Sequence, residues 1–538
     1  MKNINKIMLL LCVVAIHRFA LAQNNQMEVS LEPIAINGLG GVQSYAFGQY
    51  DGKWLIIGGR LDGLHRRQPF ASFDIAGHNT DLIVIDPVQK KQWRKSNSTL
   101  PFSIREQLSS TNMEFYQRNG ILYIIGGYGY SPTSNDHTTY PYLTAIQISD
   151  VMDAIINDKD LKPYFRQIRD EKFAVTGGYL HQVYDTYYLV GGQKFIGRYN
   201  PVGPDHGPGF IQEYTNAIRK FKINNDGDQI SVQHVGEVID ENNLHRRDYN
   251  VAPQIFTDGS YGLTAFSGVF QKDMDLPFLN CVNIDSVGHE VQPDFNQYYN
   301  HYHCAHIPLF SSKSNEMHTL FFGGIAQYFD DNGILTKDDN VPFVNTIARV
   351  TRTKDGKMAE YKLQSTMPGL LGSGSEFLLN ENIPVFNNGV VNLDALENDT
   401  THLGYIYGGI RSSAPNIFFT NTGAESDANQ QIYKVNLIKS ESSATNELNN
   451  QSNNGLGMIV FPNPGDGHFN IKFELKKSAH VVLYVYDLSG ILIKEYAIGH
   501  LNAANHNYQT TDSFEKCKAV ILKLQAGEKI SVQKVILK

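Results

Sequence analysis

The sequence predicts an all-β protein: six copies of a four-stranded antiparallel unit, followed by a smaller β domain. Three observations carry this. A short apolar phrase that stops at glycine recurs as Trp54–Gly59, Leu122–Gly127, Tyr187–Gly192, Thr264–Gly268, Leu320–Gly324 and Tyr405–Gly409. In three copies an Asp-Gly or Asn-Gly pair stands just before it: Asp51-Gly52, Asn119-Gly120 and Asp258-Gly259. These pairs suit tight hairpins, because a type I′ turn needs positive φ twice. The 29 Tyr, 29 Phe and 46 Gly among 538 residues suit many short strands and turns.

Residues 1–22 read as a secretory leader. Lys2 and Lys6 give a positive start, Ile7–Ile16 is apolar, and Ala20-Leu21-Ala22 offers a cleavage site. The apolar run is too short for a permanent membrane span, and no apolar run of spanning length follows it. Met27–Ile36 then alternates like a strand but has no hairpin partner beside it.

Each repeat supplies a first strand, a tight turn, the glycine-ended second strand, a variable loop, and usually a third and fourth strand. In the first copy these are Ser44–Tyr50, the Trp54 phrase, Asp81–Pro87 and Lys91–Ser96 around Trp93. In the third copy, Ala217–Ile223 precedes Gln229–Val238; in the fifth, Val344–Arg352 precedes Met358–Gln364. The sixth copy offers only Gln431–Ile438 after its glycines, so Met27–Ile36 is expected to complete its sheet. Four antiparallel strands per repeat make the blade of a β-propeller. With second strands ending in Gly-Gly and a Trp-centred fourth, residues 23–439 resemble a kelch-type propeller of six blades. Spacings of 55 to 85 residues exceed the kelch norm of about 50.

Residues 440–457 are rich in Asn and Ser and read as a flexible linker. Residues 458–538 form a second, smaller β domain. The opening Phe461-Pro462-Asn463-Pro464, the Tyr486-Asp487…Gly490 turn and the terminal Lys534–Lys538 strand closely resemble the C-terminal sorting domain of type IX secretion cargo from the Bacteroidetes. The usual Gly-x-Tyr is replaced by Cys517–Leu524. The resemblance implies a β-sandwich, the type IX machinery as partner through residues 458–538, and a destination in the medium or on the outer surface of a Gram-negative bacterium.

Charge and cysteine content narrow the function. A net charge of −8, from 46 basic and 54 acidic residues, gives no hint of nucleic-acid binding. Of the four cysteines, Cys12 lies in the leader and Cys517 in the C-terminal domain. Cys281 and Cys304 form one bridge or remain two buried thiols.

In a propeller, the loops after the glycine pairs and those leading into the first strands share one mouth of the central channel. Paired arginines at Leu64-His65-Arg66-Arg67 and Leu244-His245-Arg246-Arg247, with Arg60, Arg198 and Arg411, could make that mouth cationic and receive an anionic glycan. The alternative is that they brace neighbouring loops through Asp248 and backbone carbonyls. Tyr128, Tyr130, Tyr199 and Tyr328 suit stacking on sugars. In Tyr298–His306, His301 and His303 would share one face of a strand and Cys304 and His306 the other, a weak metal candidate beside the alternative of packed histidines. Asp330-Asp331-Asn332-Gly333 with Asp338-Asp339 suggests calcium or an ordinary solvated loop. Nucleophile-elbow, P-loop and zincin motifs are absent from the sequence. No cofactor is expected and no catalytic residue is named. The expected role is a surface binding module for a glycan or protein. The rivals are a carbohydrate-active enzyme (oxidase or sialic acid epimerase-like) and a structural surface protein.

Overall fold

The computed structural model describes residues 27–439 apart from 69, 201–206, 208 and 332, together with 456, 458–461, 467–487, 492–510, 512, 514, 519–527 and 529–537. The leader expected over 1–22, nearly all of the linker, Pro462–Gly465, Gly490 and Cys517 lie outside the described residues. The chain divides into two compact units between Ser440 and Glu441.

The first unit is almost entirely β. Among the described residues, six antiparallel sheets share one plan. Sheet one is Ala46–Tyr50, Lys53–Ile57, Asp81–Asp86 and Lys91–Ser96. Sheet two is Glu114–Arg118, Ile121–Ile125, Tyr142–Gln147 and Phe165–Arg169. Sheet three is Tyr179–Val183, Thr186–Val190, Ala217–Asn225 and Ile230–Ile239. Sheet four is Asn250–Ile255, Tyr261–Phe266, Cys281–Ile284 and His289–Gln292. Sheet five is His306–Ser311, Glu316–Ile325, Phe343–Arg352 and Met358–Thr366, with the short strand Val391–Asn392 added parallel to the first. Sheet six is Ser375–Leu379, Thr400–Gly408, Ile432–Lys439 and, as its fourth strand, Met27–Ile34. That last strand pairs antiparallel with Ile432–Lys439, Met27 opposite Lys439 and Ile34 opposite Ile432.

Apolar side chains fill the space between successive sheets. Leu55 and Val84 of sheet one meet Ile124 and Ile146 of sheet two. Phe322 of sheet five meets Ile406 of sheet six, and Trp54 of sheet one meets Tyr407 of sheet six. Burial of these faces is the main source of stability, because a fully buried large apolar side chain contributes roughly 1.5–3 kcal/mol.

The repeated glycines have a specific task. Gly59 sits at φ 82°, and a Cβ on it would lie 2.6 Å from the Gln43 carbonyl oxygen. Its amide donates to Ser110 O at 2.8 Å, in the segment leading to sheet two. The same bond recurs between every neighbouring pair of sheets: Gly127 to Val175 (2.9 Å), Gly192 to Arg246 (2.8 Å), Gly268 to His301 (3.1 Å), Gly324 to Leu371 (2.8 Å) and Gly409 back to Val42 (3.0 Å). The glycines thus end a strand and join it to the next repeat, which only a residue without Cβ allows at this approach.

Several stretches expected as variable loops are short hairpins. Tyr128–Ser131 with Asp136–Thr139, and Gln193–Ile196 with Ile211–Tyr214, combine into one small sheet across repeats two and three. Each hairpin pairs within its own repeat, and Ile196 opposite Thr138 joins the two. Helix Ile148–Ile156 buries Val151, Met152 and Ile155 against sheets one and two.

In the C-terminal unit, Ile459–Phe461, Asn470–Leu475 and Ala504–Gln509 form one sheet. Leu492–Leu501, Ala479–Tyr486, Ala519–Ala526 and Lys529–Ile536 form another. Phe469, Phe473, Val481, Leu483, Leu522 and Val535 share one core.

Candidate functional site: a channel bordered by the six first strands

The first strands stand next to one another, and the residues just before them are joined by a second set of hydrogen bonds. Asn112 N donates to Ser44 O (3.1 Å), Gly177 N to Asn112 O (3.2 Å), and Asp248 N to Gly177 O (2.8 Å). His303 N then donates to Asp248 O (2.9 Å), Gly374 N to His303 O (2.9 Å), and Ser44 N to Gly374 O (2.8 Å). The circle closes on itself. Below it lies a cavity of about 350 Å³ lined from all six first strands or the residues leading into them.

Its chemistry comes from Glu114, His181, Asp248, His303, His306 and Glu376, interleaved with Tyr45, Tyr116, Tyr179 and Tyr249. His303 Nε2 lies 3.0 Å from Glu376 Oε1. Burial alone would lower the His303 pKa. The facing Glu376 charge and hydrogen bond, with Asp248 behind, outweigh it and hold His303 above the usual histidine value. His181, buried without such a partner, is pushed down to about 4. Glu114 is buried; its Oε1 accepts the Gly178 amide at 2.8 Å, and burial holds its pKa well above the usual carboxylate range. The cavity therefore holds a carboxyl that burial biases toward its neutral form, beside a histidine–carboxylate pair.

The residues singled out in the sequence fall mostly beyond the circle, on the side of the glycine-pair loops. Arg60 donates to Asp62 (2.7 and 2.6 Å) and to the Asp74 carbonyl (3.0 Å), with its guanidinium over Phe73. Arg198 donates to Ser72 O at 2.8 Å and pairs with Asp74 at 3.4 Å. His65 packs against Phe73 and, edge-on, against Tyr199 and Phe418; burial and the charges of Arg247 and Arg60 lower its pKa to about 4. Tyr128 is buried, donates to Gly197 O at 2.7 Å and accepts the Tyr199 amide at 3.0 Å. Arg60, His65, Tyr128, Arg198 and Tyr199 are thus brought together, packed around Phe73.

Arg246 is fully buried and donates to the carbonyls of Asn243 (2.6 Å), Ser267 (2.5 Å) and Asn280 (3.0 Å). Arg247 pairs with Asp248 and donates to Tyr214 Oη at 3.0 Å, while His245 stacks on Tyr214 at 3.7 Å. The Arg66 carbonyl accepts Ser72 Oγ at 2.6 Å, and Arg67 lies over Phe419. Arg411 pairs with Asp427, Tyr130 donates to Asn135, and Tyr328 packs on Tyr298. Tyr328 and Arg411 stand apart from the main group on their own hairpins.

His301 and His303 do not share a strand face. The strand begins only at His306. His301 is buried in the preceding segment, bonded to Gln297 O (2.9 Å) and the Gln327 amide (3.1 Å), whereas His303 reaches the channel. The difference arises because residues 301–305 are spent on joining sheets rather than on pairing within one. Asp330 pairs with Lys362 at 3.0 Å and Asp339 with Lys337 at 2.9 Å. Cys281 and Cys304 are free and buried.

Glu114 and Glu376 were not singled out from the sequence. A usable signal exists: each stands two residues after a member of the hydrogen-bonded circle, Asn112 and Gly374. Superposing the repeats on their first strands would have put both carboxylates at one position.

Among the described residues no helix is long and apolar enough to cross a membrane. No curated protein matches the chain. A solved structure titled "Structure of YjhT" is similar at 11% identity and a TM-score of 0.37, over 60% of this chain and 84% of that one. The C-terminal unit is more definite: residues 459–538 match the family model of the secretion system C-terminal sorting domain, the tail that marks a chain for export by type IX secretion.

Proposed function

We propose that residues 23–439 are a six-bladed kelch-like propeller, exported behind the leader 1–22 by a β-sandwich sorting domain, and that its channel binds a glycan outside the cell. The two closed sets of inter-sheet hydrogen bonds and the borrowed strand Met27–Ile34 support the propeller reading. The observation that carries the binding reading is the convergence of Glu114, His181, Asp248, His303 and Glu376 with four tyrosines on one cavity. Sugar hydroxyls both donate and accept, so they suit a wall that mixes carboxylate, imidazole and phenol, and tyrosine faces suit the C–H faces of a pyranose. The arginine loops act as braces in this reading, because Arg60, Arg198, Arg246, Arg247 and Arg411 give donors to carboxylates or backbone oxygens already in place.

A glycan array probed with the full chain and with its His303→Ala/Glu376→Ala variant tests this. Binding that the double variant loses is expected; binding that it retains in full, or no binding by either protein, would overturn the channel as the site. One observation favours an enzyme as second reading: Glu114, its carboxyl pKa raised by burial, lines the same cavity as the His303–Glu376 pair, and acid–base chemistry uses groups whose surroundings shift their pKa values.

A further inference from the structure

The channel has two unlike ends. On the glycine-pair side stands the hydrogen-bonded circle, with the Arg247–Asp248 pair and Tyr214 bonded together there. On the opposite side, where first strands turn into second strands, a cavity of about 510 Å³ lies against Tyr116, Arg118, Gln182, Tyr184, Tyr261 and Asn387. Asn388 and Tyr116 line both this cavity and the channel, so the two are neighbours.

Three features of this turn-side mouth point to a ligand. First, Tyr184 and Tyr261 stack at 5.8 Å with 20° between their planes, while Tyr184 remains 56% exposed. The Tyr261 amide donates to Tyr184 Oη at 3.1 Å and fixes the pair. Second, Tyr184 sits at φ 55°, in the tight-turn position that Asp51 (φ 52°) and Asn119 (φ 50°) fill in sheets one and two. A bulky aromatic is poorly suited to that backbone region, and Asp, Asn or Gly would hold the turn more easily. The turn therefore gives up its preferred residue for an exposed ring. Third, Arg118 is exposed at the same mouth, and among the described residues its guanidinium has no hydrogen-bond or ion-pair partner. The nearby carboxylates are occupied: Asp185 pairs with Lys222 at 2.6 Å, Asp258 accepts the Ser260 amide at 2.9 Å, and Glu381 accepts the Gly52 amide at 2.6 Å.

We propose that the turn-side mouth is where the ligand enters, and that it takes the end of an acidic glycan chain. One pyranose lies on Tyr184 and Tyr261, its carboxylate or sulfate faces Arg118, and the terminal sugar passes Tyr116 and Gln182 into the channel. A five-residue first strand spans roughly 17 Å, about the length of two or three sugar units. In this reading the ligand meets the hydrogen-bonded circle with its terminus rather than with an internal stretch. This rests on the channel-binding reading above and adds the direction of entry, the charge of the ligand and the use of its end.

The test uses the full chain and three fluorescent probes: a galacturonic acid trimer, a heparin-derived tetrasaccharide and neutral cellotriose. The variants are Tyr184→Ala/Tyr261→Ala, Arg118→Met, Arg118→Lys and His303→Ala/Glu376→Ala. The tyrosine variant is expected to weaken acidic-probe binding about tenfold. Arg118→Met should weaken the acidic probes several-fold without changing cellotriose, with partial recovery in Arg118→Lys. A tetrasaccharide capped at both ends by bulky groups should fail to bind. If acidic probes bind, and lose binding only in the His303/Glu376 variant, the entry site is wrong and the channel reading stands. Equal binding of neutral and acidic probes overturns the anionic preference. Binding of the doubly capped probe overturns end recognition. Absence of binding by every probe overturns the inference and the channel reading together.

Discussion

The amide of Ser44 donates to the carbonyl of Gly374 at 2.8 Å, joining the first repeat to the last. With Met27–Ile34 paired to Ile432–Lys439, it means that both edges of the repeat array are satisfied within the chain. Removing residues 27–34 should therefore expose the edge of Ile432–Lys439 and lower the urea midpoint markedly. The milder Val29→Ala change, at a side chain 1% exposed, should cost about 1–3 kcal/mol. An unchanged midpoint in the truncated chain would show that the borrowed strand contributes nothing.

Gly59 and Gly52 separate two roles of glycine. At Gly52 (φ 70°) an added Cβ meets nothing within 4 Å, so Gly52→Ala should cost only the left-handed backbone penalty, about 1 kcal/mol. At Gly59 the Cβ would press on Gln43 O at 2.6 Å and on Tyr45 Cβ at 2.8 Å, so Gly59→Ala should cost clearly more, about 2–4 kcal/mol. Denaturant unfolding of the two variants side by side checks the order.

The His303–Glu376 pair makes stability depend on pH in a defined direction. His303 has a raised pKa in the folded chain, so its contribution is complete below the ordinary histidine pKa and is lost as pH rises through the raised value. Glu376→Gln should lower the His303 pKa, seen by NMR titration, and should cost most at pH 6 and progressively less in alkali. A stability difference between the two proteins that does not vary with pH would contradict this.

Glu114 behaves in the same sense for a different reason. Its carboxyl pKa is raised by burial, so its favourable contribution is complete below the ordinary glutamate pKa and is lost as pH climbs toward the raised one. Glu114→Gln keeps an acceptor for the Gly178 amide and removes the ionisation. The variant should gain on the wild type as pH rises above the ordinary glutamate pKa, measured as a difference in denaturant midpoints.

Cys281 and Cys304 are buried, and burial pushes both thiols up to about 12. Peptide mapping after treatment with a thiol reagent at pH 8 should find neither labelled in the native protein and both labelled in denaturant.

The sequence by itself determined the strands, the turns and the closing segment. Those signals are local: four or five apolar residues ended by glycine at Trp54–Gly59, the Asp51-Gly52 turn, and the unpartnered alternation of Met27–Ile36 beside an incomplete sixth copy. The C-terminal sorting domain was equally legible, because its motifs are short and contiguous. Only the tertiary structure decided what the polar residues do. In sequence Arg246 reads either as an anion receptor or as a brace between loops; in the fold its donors go to the carbonyls of Asn243, Ser267 and Asn280. Glu114 and Arg118 of the second repeat, Tyr184 of the third, His303 of the fifth and Glu376 of the sixth carry no local mark of a shared site. The physical reason is range. Propensity and periodicity act over a few residues, whereas a pKa, an ion pair or a stacked tyrosine depends on which distant segments the closed array brings within a few ångströms.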